Sequence, residues 1–405
     1  MPRTEKPEDV GLCSRRLGKV RDWMHSYVDD GKLPCAYTLV ARHGKVALAE
    51  WCGSRDVAAG APVEQDTIFR IYSMTKPVTS VAVMMLYEDG RFQLDDDIGS
   101  YIPELADMGV YTSGYGAFMR SERANAPVTI RQLLTHTSGL TYGFLDPSPV
   151  GQVYARDGLD FHPHKRSLAD VVEALGAMPL VHQPGTRWNY SVSFDVLGRL
   201  VEVVSGQTLD GFFAERIFKP LGMVDTGFAV PAEKLGRFAA LYQSTGEGGI
   251  ELLQGAGTAM TTDTVKLLSG GGGLTSTVED YFRFTEFLRC KGELDGVRLL
   301  GRKTVEMMTA NHLGGDMASM GQPRFGESSF EGVGFGFGVS VMLDPAKANI
   351  MGTPGEYAWG GAASTAFWTD PKEDMTVIFA TQLIPSDAYP LRRQLRVLTY
   401  QALID

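Results

Sequence analysis

A chain of 405 residues with 44% hydrophobic and 21% charged residues can bury a large core, and this composition argues against a disordered or membrane-embedded protein. Its 38 basic and 48 acidic residues give a net charge of -10, which excludes the clustered positive footprint that binding to nucleic acid requires. The densest basic run, His162-Pro163-His164-Lys165-Arg166, is too short to supply one.

The charged stretch at residues 1–9 is not followed by an apolar segment of signal-peptide length, and no apolar run reaches membrane-spanning length. Cys13, Cys35, Cys52 and Cys290 are scattered without C-x-x-C spacing, which suits a reducing compartment better than a zinc site or disulfide framework. A cytoplasmic protein with no membrane association is expected. Residues 17–28 have the apolar spacing of a helix. Residues 36–42 and 45–51 read as strands around His43-Gly44 and predict a β-hairpin. Residues 67–72 read as a short strand that leads into a helix over 77–86. Helices follow over 129–136, 167–178, 194–204 and 208–218, marked by Thr or Ser at the start, or by Ser205-Gly206 or Pro220 beyond the end. The connections 108–126 and 141–163 are rich in glycine and aromatic residues and exceed the usual loop limit of about 12 to 15 residues. They read as functional covers rather than linkers. Toward the far end, residues 364–369 and 375–380 flank a turn as a second hairpin, and residues 389–404 predict a helix. The economical architecture is an α/β (α+β) fold with an antiparallel sheet built from both ends of the chain and flanked by helices. Residues 1–85 and 200–405 would form a discontinuous sheet domain, and 86–199 an inserted helical domain whose long loops cover the site.

Three segments carry residues suited to chemistry. Ser73-Met74-Thr75-Lys76 opens the helix over 77–86. A serine there sits in the positive end of the helix dipole, with a lysine one turn along on the same face. Serine is a weak nucleophile without an adjacent base, and a desolvated lysine of lowered pKa can be that base without any histidine. Trp188-Asn189-Tyr190-Ser191 directly precedes the helix over 194–204. Glu356-Tyr357-Ala358-Trp359-Gly360-Gly361-Ala362-Ala363 enters the strand over 364–369, where paired glycines permit the close backbone approach that substrate docking or an oxyanion-binding N–H needs.

In this order the three boxes resemble the serine β-lactamase and penicillin-binding-protein superfamily. Residues 133–140, Leu-Leu-Thr-His-Thr-Ser-Gly-Leu, and 271–277, Gly-Gly-Gly-Leu-Thr-Ser-Thr, are similar to further boxes of that superfamily. The resemblance spans residues 10 to 400 and implies a β-lactamase/transpeptidase-like fold. The gap from Ser73 to Tyr190 and the Tyr-Ser box resemble the class C branch, especially its family VIII carboxylesterases and the acyltransferase that acylates a statin precursor. The resemblance implies that Ser73 is the acylated nucleophile and that Lys76 and Tyr190 exchange its proton. It also implies that Tyr190 helps protonate the leaving group and activate water, and that the oxyanion hole is made by the backbone N–H groups of Ser73 and Ala362. Tyr142, Trp359, Gly360 and Gly361 would contact substrate, and neither a metal nor an organic cofactor is called for.

Two departures bear on the substrate. Val192 stands where many members carry an asparagine amide, and Trp359 replaces the strand-box lysine that could hold a carboxylate. Loss of a charge-assisted hydrogen bond worth roughly 1.5 to 3 kcal/mol weakens carboxylate recognition. A small neutral ester is therefore the expected partner, hydrolysed through an acyl-enzyme, with transfer to another acceptor, β-lactam or D-amino-acid peptide cleavage, and non-catalytic ligand binding as alternatives. A Ser-His-Asp hydrolase lacks its usual setting, since the chain has no G-x-S-x-G elbow. His136 reads as structural, and His162 and His164 lack a nearby carboxylate or cysteine to complete a metal site.

Overall fold

The computed structural model describes residues 4–160, 166–255, 260 and 264–405. The basic run at 162–165, with His162 and His164, lies outside them. Alternation over 36–51 folds into strands β1 (Cys35–Arg42) and β2 (Lys45–Asp56), antiparallel around His43-Gly44. The φ values of 52° at His43 and 72° at Gly44 fall in the left-handed region that a tight two-residue hairpin turn requires. Strand β3 (Ala61–Pro62) lies along the outer edge of β2.

The rest of the main sheet comes from the other end of the chain. Strands β4 (Val333–Phe335), β5 (Ser340–Met342), β6 (Tyr357–Gly360), β7 (Ala366–Asp370) and β8 (Met375–Ala380) follow one another. β8 then pairs with β1, with Leu39 opposite Ile378. The eight strands run β4-β5-β6-β7-β8-β1-β2-β3, and every pair is antiparallel. The fold is β-lactamase-like, with the sheet built from both chain ends as expected.

Five helices cover the sheet or position the site: α1 (Ser14–Asp29), α2 (Thr75–Glu88), α3 (Ser193–Ser205), α4 (Val278–Arg289) and α5 (Leu391–Tyr400). Side chains alternate along a strand, so Tyr37, Leu39 and Ala41 of β1 join one core cluster and Ala36 and Val40 join another. Every residue of β1 is therefore buried. α4 packs on the first face, where Tyr281 meets Phe367 at 5.3 Å between ring centroids. α1 and α5 cover the second, with Trp23 5.6 Å from Phe379 and the Arg396 guanidinium 4.6 Å from the Trp368 ring. α2 is buried throughout Thr75–Leu86, its polar Thr75, Lys76, Thr79 and Ser80 included, as a helix enclosed by its neighbours is.

Local signals explain where several elements begin. Thr129 and Gln132 form a reciprocal capping box ahead of the helix Ile130–Leu134, and Ser167 and Asp170 do the same for Leu168–Gly176. Elsewhere the structure differs from the sequence expectation. Of the strand expected over 67–72, Phe69–Arg70 pairs with Thr275–Ser276 outside the main sheet and Ile68 adds a single bridge to Phe238. Its extension is stopped by Tyr72, whose φ of 43° turns the chain into a short 3-10 helix, Tyr72–Met74. The connection over 108–126 contains a hairpin, Gly109–Ser113 with Arg120–Arg123. The one over 141–163 contains the helix Pro149–Asp157, capped by Ser148. Cys13, Cys35, Cys52 and Cys290 are all free thiols. No helix among the described residues is long and apolar enough to cross a membrane.

Candidate active site

The turn at Tyr72 places Ser73 immediately ahead of α2, with Lys76 one turn along on the same side. A non-glycine residue at positive φ is uncommon and mildly strained, a feature that concentrates at functional sites. The Tyr281 hydroxyl on α4 donates to the Met74 carbonyl at 2.9 Å and braces this turn from behind. Lys76 is fully buried, and Ser73 retains only 8% of its surface. Lys76 Nζ donates to Ser73 Oγ at 3.1 Å, to Tyr142 Oη at 3.2 Å and to the Gly271 carbonyl at 2.7 Å. From the opposite side the Tyr190 hydroxyl donates to Ser73 Oγ at 2.7 Å. The structure thus brings Ser73, Lys76, Tyr190 and Tyr142 into one hydrogen-bonded cluster.

Burial governs the protonation of this cluster. Desolvation pushes the Lys76 ammonium down to about 7, against the opposing pull of the Asp195 carboxylate. The same loss of water pushes the Tyr190 and Tyr142 hydroxyls up, so both keep their protons at neutral pH. The Tyr190 ring lies 4.5 Å from Lys76 Nζ and supplies a π face for the cationic form.

The glycine run over 270–273 has a specific task here. Gly270 O accepts from Thr79 Oγ1 at 2.7 Å, as Gly271 O does from Lys76, so both carbonyls lie against the buried helix α2. A Cβ at Gly271 would stand 2.8 Å from Asp195 Oδ2 and 3.0 Å from Tyr142 Oη. Asp195 on α3, which sequence reasoning missed, holds this run in place. Its Oδ1 accepts from Ser269 Oγ at 2.5 Å and from the Gly271 N–H at 3.3 Å. Burial pushes its carboxyl up, while the hydrogen bond from Ser269 and the charge of Lys76 pull it back. The available signal was an acid among apolar residues: Phe194, Val196 and Leu197 beside it are all fully buried.

Tyr190 is held by its predecessor. The Asn189 N–H donates to His136 O at 2.8 Å, and the Asn189 side-chain amide to Leu140 O at 2.7 Å. His136 is completely buried, with Nδ1 3.1 Å from Ser191 Oγ and its ring 4.8 Å from that of Tyr190. Burial and the nearby Lys76 charge push it well below the usual histidine range, so it packs behind Tyr190 as a neutral ring.

Trp359 at the end of β6 packs its ring 5.6 Å from Tyr190 and 5.2 Å from Phe335. A Cβ at Gly361 would collide with the Ile71 carbonyl oxygen, so glycine there lets the strand end approach the turn before Ser73. Ser73, Tyr190, Trp359, Gly360, Gly361 and Ala362 line one cavity of 1090 Å³. Phe144, Leu145, Leu253 and Phe330 give it apolar walls. Tyr142 lies beneath this floor, on Lys76, rather than in the cavity wall. Trp359 stands where a strand-box lysine would, and Arg392 on α5, which also lines the cavity, donates from Nη2 to Gly361 O at 3.0 Å and Thr365 O at 3.2 Å. The sequence concealed it because α5 and β6 meet only in the folded sheet. Among the described residues, no three His, Cys, Asp or Glu side chains converge as a metal-ligand set.

This arrangement offers a serine hydroxyl between an amine and a phenol at the floor of an apolar cavity, and its environment suits acyl transfer through serine. The family model described as Beta-lactamase matches residues 20–401. Esterase EstB of Burkholderia gladioli is 32% identical over 391 residues, spanning 92% of this chain and 91% of its own length. The lovastatin esterase of Penicillium rubens is 32% identical over 384 residues, spanning 88% of this chain and 90% of its own. Among solved structures, EstCE1, a hydrolase with promiscuous acyltransferase activity, superposes with a TM-score of 0.80 at 26% identity, covering 95% of this chain and 99% of that one.

Proposed function

The chain belongs to the beta-lactamase family and is a serine hydrolase of the esterase kind, and from that premise we propose that Ser73 is its acylated nucleophile and small neutral carboxylic esters its substrates. One observation carries the assignment: Lys76 Nζ and Tyr190 Oη converge on Ser73 Oγ at 3.1 and 2.7 Å. When Lys76 is neutral, its lone pair accepts the Ser73 proton as Oγ attacks the ester carbonyl carbon. The oxyanion that forms is met by the backbone N–H groups of Ser73 and Ala362. As the tetrahedral intermediate collapses, the carbon–oxygen bond to the alcohol breaks and the alcohol takes a proton from the Lys76–Tyr190 pair. Water then repeats the sequence: it loses a proton to the pair, attacks the acyl carbon, and releases the acid and free Ser73.

The neutral-ester reading rests on Trp359 and the apolar walls. Arg392 also lines the cavity, but its Nη2 is committed to two carbonyls of the protein. Ser73→Ala abolishes turnover of a short-chain p-nitrophenyl ester while leaving the circular dichroism spectrum unchanged; retained turnover overturns the assignment. A chromogenic cephalosporin is hydrolysed more slowly than the ester in the same assay, and the reverse order overturns the substrate reading.

Acyl transfer to an alcohol is a second outcome of the same acyl-enzyme. The cavity of 1090 Å³ lies at or above the upper end of the usual range for small-molecule sites, about 300 to 1,000 Å³, and leaves room for an acceptor beside the acyl group. Addition of a small alcohol then diverts product from acid to new ester in a concentration-dependent way.

A further inference from the structure

We propose that Arg392 is a positioning residue for the oxyanion site: its guanidinium holds the peptide unit between Gly361 and Ala362 so that the Ala362 N–H is aimed at the developing alkoxide. The proposal rests on the reading of Ser73 and Ala362 as oxyanion donors. The carbonyl and the N–H of a trans peptide unit point in opposite directions from one rigid plane. Arg392 Nη2 takes the Gly361 carbonyl at 3.0 Å, which turns the Ala362 N–H away from α5. Ala362 lies on the wall of the cavity that holds Ser73.

The attachment is built on two sides. Thr365 O accepts from Arg392 Nη2 at 3.2 Å and from the Gly361 N–H at 2.9 Å, so the guanidinium and the turn share an acceptor. The start of α5 is itself fixed by Glu327, whose Oε1 accepts from the Arg392 N–H at 3.1 Å. Gly360 is what lets the side chain in. A Cβ there would stand 2.8 Å from Thr365 O, 2.9 Å from Arg392 Nη2 and 3.0 Å from its Cζ, so a larger residue presses on both the guanidinium and the carbonyl that it binds. The paired glycines thus have separate tasks: Gly361 admits the Ile71 carbonyl, and Gly360 leaves room for Arg392 and the Thr365 carbonyl.

Two physical consequences follow. A donor fixed before the reaction needs no reorganisation when charge develops on the substrate oxygen. A hydrogen bond from a cation to the Gly361 carbonyl also polarises the amide and strengthens its N–H as a donor. Both effects act on the tetrahedral species more than on bound ester, so the loss belongs in kcat rather than KM.

The test uses Arg392→Met, Arg392→Lys and Gly360→Ala, assayed with a p-nitrophenyl ester and with a boronic acid that adds to Ser73 to form a tetrahedral adduct. Removal of a whole oxyanion donor costs about 10² to 10³ in kcat. Misaiming one donor in Arg392→Met lowers kcat by about tenfold to a hundredfold with little change in KM, and weakens boronic acid binding by a similar factor. Arg392→Lys recovers part of both. Gly360→Ala, whose Cβ presses on both the guanidinium and the Thr365 carbonyl that it binds, reproduces the loss, and Arg392→Lys carries the test if Arg392→Met does not fold. Wild-type kcat in Arg392→Met, an effect on KM alone, or a kcat loss with unchanged boronic acid affinity overturns the proposal. Ser73→Ala separates the two claims: if it is inactive while Arg392→Met is unaffected, only the role of Arg392 fails, whereas an active Ser73→Ala removes the site reading itself.

Discussion

A protonated Lys76 has no lone pair for the Ser73 proton, and burial lowers its pKa to about 7, so kcat/KM rises with pH through about 7 as the amine becomes neutral. A profile that is flat across that region argues against Lys76 as the base. The Asp195 charge favours the ammonium form. Asp195→Asn keeps an oxygen for Ser269 and the Gly271 N–H but removes that charge, so the acidic limb moves to lower pH, as a pH–rate profile of the variant would show. Lys76→Ala and Tyr190→Phe each lower kcat by at least about a hundredfold, the scale of lost acid–base catalysis, measured by steady-state ester hydrolysis. At this scale the sequence was informative where spacing encodes geometry. Ser73 and Lys76 lie one helical turn apart, whereas Tyr190 joined them through the resemblance of the ordered boxes to the superfamily rather than through spacing. Asp195 and Arg392 were not legible in the same way. Each is one of three charges in an amphipathic-looking helix, beside Arg199 and Glu202 on α3 and beside Arg393 and Arg396 on α5, and what distinguishes it is the partner that folding brings: Gly271 for one, Gly361 for the other.

Elements follow their local signals wherever the signal is backbone chemistry. The Thr129 capping box satisfies donors at the start of Ile130–Leu134, so Thr129→Ala costs about 1 kcal/mol, readable as a lowered urea midpoint. Gly361→Ala acts differently, because its Cβ meets the Ile71 carbonyl on a neighbouring segment. The end of β6 then moves back from the turn before Ser73, and kcat falls by about a hundredfold, comparable with the loss of an oxyanion donor. Both hairpins were readable from alternation flanking a turn. The strand over 67–72 was over-read because its apolar run continues into Tyr72, and nothing in that composition announces a positive φ. The connections over 108–126 and 141–163 were read as covers, and the hairpin and helix they contain were missed: polar and glycine-rich residues obscure the alternation in the first, and the second helix is only nine residues long.

On the scale of the whole molecule, the sheet has no middle without its far end. β8 separates β7 from β1, so removal of residues 355–405 takes away three adjacent strands and the helix that carries Arg392. A chain ending at residue 354 is expected to lack a cooperative thermal transition by circular dichroism, whereas the full chain shows one. That both ends build the sheet was legible in the two hairpins; the strand order was not, because pairing partners are chosen by shape and burial rather than by proximity in sequence. The closure also imposes an order in time. During synthesis Ser73 and Lys76 leave the ribosome long before Trp359, Ala362 and Arg392. Until β8 arrives, the open edge of β1 is a template for unwanted strand pairing, which makes this step the natural point for a chaperone to hold the nascent chain. On the proposed reading Ser73 is without the Ala362 N–H over the same interval, so full reactivity of the growing polypeptide waits until the residues through Arg392 have cleared the exit tunnel.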